Sequence, residues 1–141
     1  MSLAGALAYR WDGKRVRTLF QTHPGSYDTS SLIAFLRQLR RHFRQQQVIL
    51  IWDGLPSNRS REMQAFVASQ SHWVEVVRLP GYAPEMNPVE ALWAYLKNNE
   101  MANLVCRTIE EIEELAADAI QFVHRHPLLA LSFLRRTGLA L

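Results

Sequence analysis

Five consecutive apolar residues, Val48 to Trp52, end abruptly at Asp53-Gly54. The run is far short of the roughly 20 residues of a membrane span, as is every other apolar stretch of the chain. Rich in β-branched and aromatic side chains, it reads as a strand buried on both sides, as in a parallel sheet. Such a strand needs partners and covering helices, and the rest of the chain offers them. Leu3 to Trp11 and Val16 to Thr22 read as two strands joined at the turn dipeptide Asp12-Gly13. Val74 to Leu79 reads as a further short strand, stopped by Pro80-Gly81.

Helices fill the intervals. Asp28 to Ser31 offers N-caps to a helix in which Leu32, Leu36, Leu39 and Phe43 recur at helical spacing to about Gln46. Ser57 to Ser71 suits an amphipathic helix that turns Met63, Phe66 and Val67 inward. Asn87-Pro88-Val89-Glu90 has the grammar of a helix start, with Asn as N-cap and Pro at the first helical position, and the helix runs to about Asn99. Thr108 to His124 and Leu128 to Arg135 complete the set. The order of elements argues for a mixed α/β sheet with helices on its faces. At 141 residues, with 48% apolar and 21% charged side chains, the chain is sized to fold as a single domain, 1–141.

Cys106 is the only cysteine, which excludes an internal disulfide and any zinc site built from several thiolates, and leaves it as a packing residue. The start lacks the basic segment of a secretory signal, so a cytoplasmic protein without a membrane anchor is expected.

Charge is divided along the chain. Residues 1–61 hold 10 Lys and Arg against 3 Asp, whereas residues 62–141 hold 6 against 10 acids. Fourteen of the sixteen basic residues are Arg, whose planar fork suits phosphate, so nucleic acid is a candidate partner. Arg37, Arg40, Arg41 and Arg44 fall away from the apolar stripe of their helix, either as a solvated face or as phosphate contacts.

Asp53 stands at the carboxyl end of a strand that looks central, where α/β sheets usually place their chemistry and where a carboxylate can bind a hard cation. Asp-Gly is equally a common turn pair. Glu90 has a competing role too, since at the third helical position it completes a capping box with Asn87. His124 and His126 share no face that would hold a metal.

VILIWDGLPSNRS at 48–60, followed by LPGYAPEMNPVEALWAYLK at 79–97, resembles the catalytic domain of mariner-type DDE transposases, in their bacterial insertion-sequence branch. The opening hairpin and the closing LSFLRRTGL segment are similar as well. The resemblance implies a ribonuclease H-like fold and metal-dependent cleavage and strand transfer of DNA ends, with DNA as partner and a nucleoid-associated bacterial location. It places the second catalytic Asp at Asp53 and the final catalytic Glu at Glu90, with 36 residues between them. Three carboxylates then hold two ions, Mg²⁺ or Mn²⁺. Arg37, Arg40, Arg41, Arg44, Arg59, Arg61 and Lys97 become the expected DNA contacts.

Two departures follow from the same resemblance. The family's first catalytic Asp lies on a strand preceding the hairpin, in the middle of the sheet, and this chain opens on the hairpin itself; neither Asp12, Asp28 nor Glu85 is placed to replace it. Asn58 stands where relatives often carry His. The expectation is an N-terminally truncated domain, completed by an N-terminal transposase segment or by self-association as a homo-oligomer. The alternative is an inactive DNA-binding or dimerising remnant that regulates a full transposase.

Overall fold

The computed structural model describes residues 2–54, 56–81, 83–100 and 108–138, and Cys106 lies outside them. The chain divides into two compact units, one built from Leu3–Thr22 and the described part of Pro84–Leu141, the other from His23–Ala83.

The first unit opens with the hairpin of β1 (Ser2–Tyr9) and β2 (Val16–His23). Its turn closes through Arg10 N–H to the Arg15 carbonyl at 2.9 Å, with Gly13 at φ 70°, a conformation that glycine adopts without steric cost. Helices α3 (Pro88–Tyr95), α4 (Ile109–Arg125) and α5 (Pro127–Arg136) complete the unit. Leu92 and Leu96 meet Ala119, Ile120 and Val123 of α4 and Ala130 and Phe133 of α5 in a dry core, against which Leu7, Val16 and Phe20 of the hairpin pack. A Cβ on Gly5 would lie 2.8 Å from the Trp93 ring, so the missing side chain is what lets the indole lie against β1. The Tyr9 hydroxyl donates to the Ala130 carbonyl at 2.8 Å, and burial pushes its pKa upward. Where the sequence suggests one helix from Pro88 to about Asn99, α3 stops at Tyr95 and a single π turn covers Leu96–Glu100.

The second unit holds α1 (Thr29–His42), β3 (Val48–Trp52), α2 (Arg61–Ser69) and β4 (Val74–Arg78). β3 and β4 pair in parallel, with Val48 opposite Val74 and Trp52 opposite Arg78. Ile33, Phe35, Leu36 and Leu39 of α1 are buried, as are Met63, Trp73 and Val74. One expectation is corrected here. β3 is not buried on both sides: Val48, Leu50 and Trp52 are half-buried, but Ile49 is 67% and Ile51 45% exposed, and Val77 beside Ile51 is 44% exposed. An apolar run records affinity for a dry neighbour, and among the described residues only one face of this strand has found it. The described strands form two sheets of two, β1-β2 and β3-β4.

Asp28 caps α1 in a full capping box, its carboxylate accepting the Ser31 N–H at 2.8 Å while the Ser31 hydroxyl accepts from the Asp28 N–H at 2.9 Å. The Ser31 N–H first, then the Ser31 and Ser30 hydroxyls, hold this carboxyl down to about 2 from the usual 3.8. The cap's contribution is therefore complete above pH 3.8 and lost as pH falls through about 2. Asp28→Asn keeps an N-cap oxygen, so helix content at pH 7 is expected to hold while the helical signal of the variant between pH 4 and pH 2 loses one acid-sensitive step. Circular dichroism on the two proteins checks this.

Candidate catalytic site

Asp53 follows the last residue of β3, and its loop folds back on it. Asn58, only 4% exposed, donates from Nδ2 to Asp53 Oδ1 at 3.1 Å and to the Asp53 carbonyl at 3.2 Å. The amide thus fixes both the side chain and the backbone of the residue ending the strand. Arg78, at the end of the neighbouring strand, reaches the Asn58 carbonyl at 3.5 Å. A Cβ on Gly54 would meet the Arg59 guanidinium at 2.5 Å, which places that cation directly over the Asp53-Gly54 backbone. Helix α2 starts immediately afterwards on Ser60, whose hydroxyl accepts the Met63 N–H at 3.1 Å and a bond from the Thr29 hydroxyl at 3.0 Å. The starts of α1 and α2 are therefore clipped together beside the Asp53 loop. Arg61 occupies the first position of α2 and is exposed there, although a helix start disfavours a cation.

Glu90 lies in the first turn of α3, in the other unit, and is exposed. The capping box anticipated from Asn87 and Glu90 does not form. Asn87 caps the helix through its own Oδ1, which accepts the Val89 N–H at 3.1 Å, while its backbone N–H donates to the Pro84 carbonyl at 3.0 Å. The donor that a capping glutamate would satisfy is already satisfied by a 3₁₀ turn over Pro84–Met86. The Glu90 carboxylate is left with no hydrogen bond or ion pair among the described residues.

The other expected contacts are dispersed. Arg59 lies against the Asp53-Gly54 backbone and Arg61 opens α2, whereas Arg37, Arg40 and Arg41 line a groove between α1 and α2. Arg44 lies just beyond the end of α1 and Lys97 on the π turn, both exposed. Asn58 was legible from the sequence only as a change from His; its grip on Asp53 spans five residues of irregular loop, for which no periodicity exists. Among the described residues no three His, Cys, Asp or Glu side chains gather closely enough to hold a metal ion.

A model of the family described as DDE superfamily endonuclease matches residues 8–115. The chain belongs to the DDE superfamily endonucleases. The endonuclease domain also resembles solved structures of the Mos1 transposase catalytic domain. The one with Raltegravir and Mn aligns with a TM-score of 0.60 at 15% identity, covering 99% of this chain and 84% of that one. The crystal structure of the Mos1 mariner catalytic domain aligns at 0.59 and 14%, covering 99% and 83%. At such identities the likeness establishes the fold, and the mixed α/β, ribonuclease H-like expectation is met. No curated protein matches the endonuclease domain. No described helix is long and apolar enough to cross a membrane.

Proposed function

We propose that this endonuclease domain cuts and joins DNA ends in transposition, with Asp53 and Glu90 as two of the carboxylates that hold Mg²⁺ or Mn²⁺. Glu90 carries the reading: its carboxylate stands exposed at a helix start, unused by the cap, with only the helix dipole to favour it there. Asp53 supports it from a strand end with one oxygen anchored by a buried amide. Oxygen donors of this kind fit a hard divalent cation. They fit as part of a set, because the described residues bring no third ligand to either of them. When bound, the cations supply activation of an attacking water or 3′-hydroxyl and stabilisation of the leaving oxygen.

The chain's own residues do the rest. Asn58 holds the Asp53 carboxylate, and Arg59 against the same loop and Arg61 at the start of α2 are the cations to meet backbone phosphates. The edge of β3 away from β4 has no strand partner among the described residues, and a strand added there is the proposed source of the third carboxylate, supplied by an N-terminal transposase segment or by a second copy of the chain.

Mn²⁺-dependent nicking of a supercoiled plasmid tests the proposal, with Mn²⁺ binding followed by electron paramagnetic resonance. Bound Mn²⁺ that disappears in Asp53→Ala and in Glu90→Ala, and nicking abolished by EDTA, are the expected results. Plasmid binding without metal binding or nicking would instead favour a regulatory, non-enzymatic role.

Asn58 has its own test. Removing the group that orients a metal ligand costs about 10- to 100-fold in metal affinity, and Asn58→Ala is expected to fall in that range. Asn58→His restores a donor and is expected to recover most of the affinity. Equal affinity in all three proteins would show that the contact to Asp53 is incidental.

A further inference from the structure

Between α1 and α2 lies a groove of about 430 Å³ lined by Arg37, Arg40, Arg41, Phe66, Gln70 and Trp73, together with Ser69. Two of its guanidinium groups lie over aromatic rings. Arg37 Cζ sits 5.4 Å from the centre of the Phe66 ring and Arg40 Cζ 5.2 Å from that of Trp73. Trp73 is itself fixed, buried to 3% exposure with its indole N–H donating to Gln70 Oε1 at 2.8 Å. The rings therefore hold two of the cations at the wall of the groove. No acidic side chain lines the groove, and Arg37, Arg40 and Arg41 make no hydrogen bond or ion pair among the described residues. Arg40 Nη1 is buried and lacks an acceptor. A buried guanidinium donor without an acceptor is unfavourable, and a shift of the Arg40 side chain toward a phosphate at the mouth of the groove relieves it.

The groove is not the Asp53 site. The Val48 N–H donates to the Trp73 carbonyl at 2.7 Å, so Trp73 marks the amino end of β3 while Asp53 follows its carboxyl end. Five residues of extended chain separate the two ends by about 16 Å. Compensation of the α1 dipole explains why Arg40 and Arg41 stand in the last turn, but it does not explain Arg37 or the buried Nη1.

We infer that this groove is a second DNA contact, which grips the phosphate backbone about 16 Å from the catalytic carboxylate of the same unit and takes no part in cleavage. The inference rests on the reading of the chain as a DNA-processing domain. Phosphate is favoured over a carboxylate-bearing peptide because three planar forks, two of them held over aromatic rings, match oxyanions repeated along a strand. Arg37 to Arg41 spans one helical turn, about 6 Å. That length suits neighbouring phosphates along one strand. Both aromatic faces are occupied by guanidinium groups, so the contact reads no bases and is indifferent to sequence.

Anisotropy of a fluorescein-labelled 20-base-pair duplex, titrated with the whole chain in EDTA over a range of salt, tests the inference without any cleavage. Losing three phosphate contacts lowers the slope of log K against log[salt] by about 2 to 3 and weakens binding about 10²-fold at 0.1 M salt. The Arg37→Gln/Arg40→Gln/Arg41→Gln variant is expected to show both, and two duplexes of unrelated sequence are expected to behave alike. The corresponding triple Lys variant keeps the charge; it is expected to keep the slope and lose affinity only several-fold, and it serves if the Gln variant does not fold. In ¹⁵N spectra the Trp73 indole signal, assigned with Trp73→Phe, is expected to shift on adding duplex. Unchanged affinity and slope in the Gln variant, or a Trp73 signal indifferent to DNA, would overturn the inference. Displacement of the duplex by polyglutamate at matched charge and ionic strength would reassign the groove to an acidic polypeptide. Because EDTA removes the cations, failure of the cleavage reading leaves these results unaffected, and a DNA-indifferent groove in a chain that nicks DNA overturns this inference alone.

Discussion

Asp53→Ala and Glu90→Ala are each expected to lower Mn²⁺-dependent nicking by about 10³-fold. A divalent ion contributes several kcal/mol of transition-state stabilisation, and each 1.36 kcal/mol is a factor of ten. Losing one ligand from a site short of ligands forfeits most of that. Glu90→Gln is the sharper variant, because it keeps the size of the side chain and removes only the charge. Glu90 is exposed and has no partner among the described residues, so Glu90→Gln is expected to change stability by less than about 0.5 kcal/mol. A loss of nicking with an unchanged melting curve would therefore report chemistry. A melting curve that moves with the activity would make Glu90 structural after all, and the metal-ligand assignment would fail with it. Asp53→Asn carries the complementary information, since its amide faces the amide of Asn58 and loses the acceptor that Nδ2 uses, unless its own oxygen rotates into place.

The largest expected effect on stability lies on the same helix as Glu90. Leu92 is fully buried between the hairpin, α4 and α5, and Leu92→Ala is expected to destabilise the unit by about 2–5 kcal/mol. Natural domains hold only about 5–15 kcal/mol in total. Chemical denaturation is expected to show the loss as a lower midpoint, and a midpoint within error of the parent would mean that this core collapses around the cavity. Because Glu90 rides two residues upstream on α3, a Leu92→Ala protein that still folds is also expected to bind Mn²⁺ more weakly. The core and the candidate site are thus coupled through a helix of only eight residues.

Local signals in the sequence led to most of the elements. Asp28 before Ser31, Asp12-Gly13 in the hairpin and Asn87-Pro88 before α3 each specify a backbone geometry within a few residues, and each forms where the pattern placed it. The candidate carboxylates, Asp53 and Glu90, stand out in the sequence because motifs resembling the family's carry them. What escaped depends on partners distant in sequence. Arg37 meets Phe66 and Arg40 meets Trp73 across some thirty residues, so a face that reads as solvated turns out to be stacked. Glu90 was mistaken for half of a capping box because the pattern of α3 alone cannot show that Pro84 takes the Asn87 N–H first. The π turn at Leu96–Glu100 interrupts residues whose local preference is still helical, and it begins at Leu96, which is buried in the core with α4 and α5. Ile49 and Ile51 teach the same lesson in reverse, since apolar composition states what a strand can bury and not what covers it.

That bare strand bears on how the protein behaves outside a complex. Val48 to Trp52 joins high β-propensity to zero charge and has no proline, and both its outer face and one edge lack cover among the described residues. These are the attributes of a segment that recruits its own kind into stacked fibrils. Concentrated stocks of the domain are accordingly expected to precipitate through this strand, and a charged substitution at Ile49, the most exposed residue of the run, is the simplest way to keep them in solution.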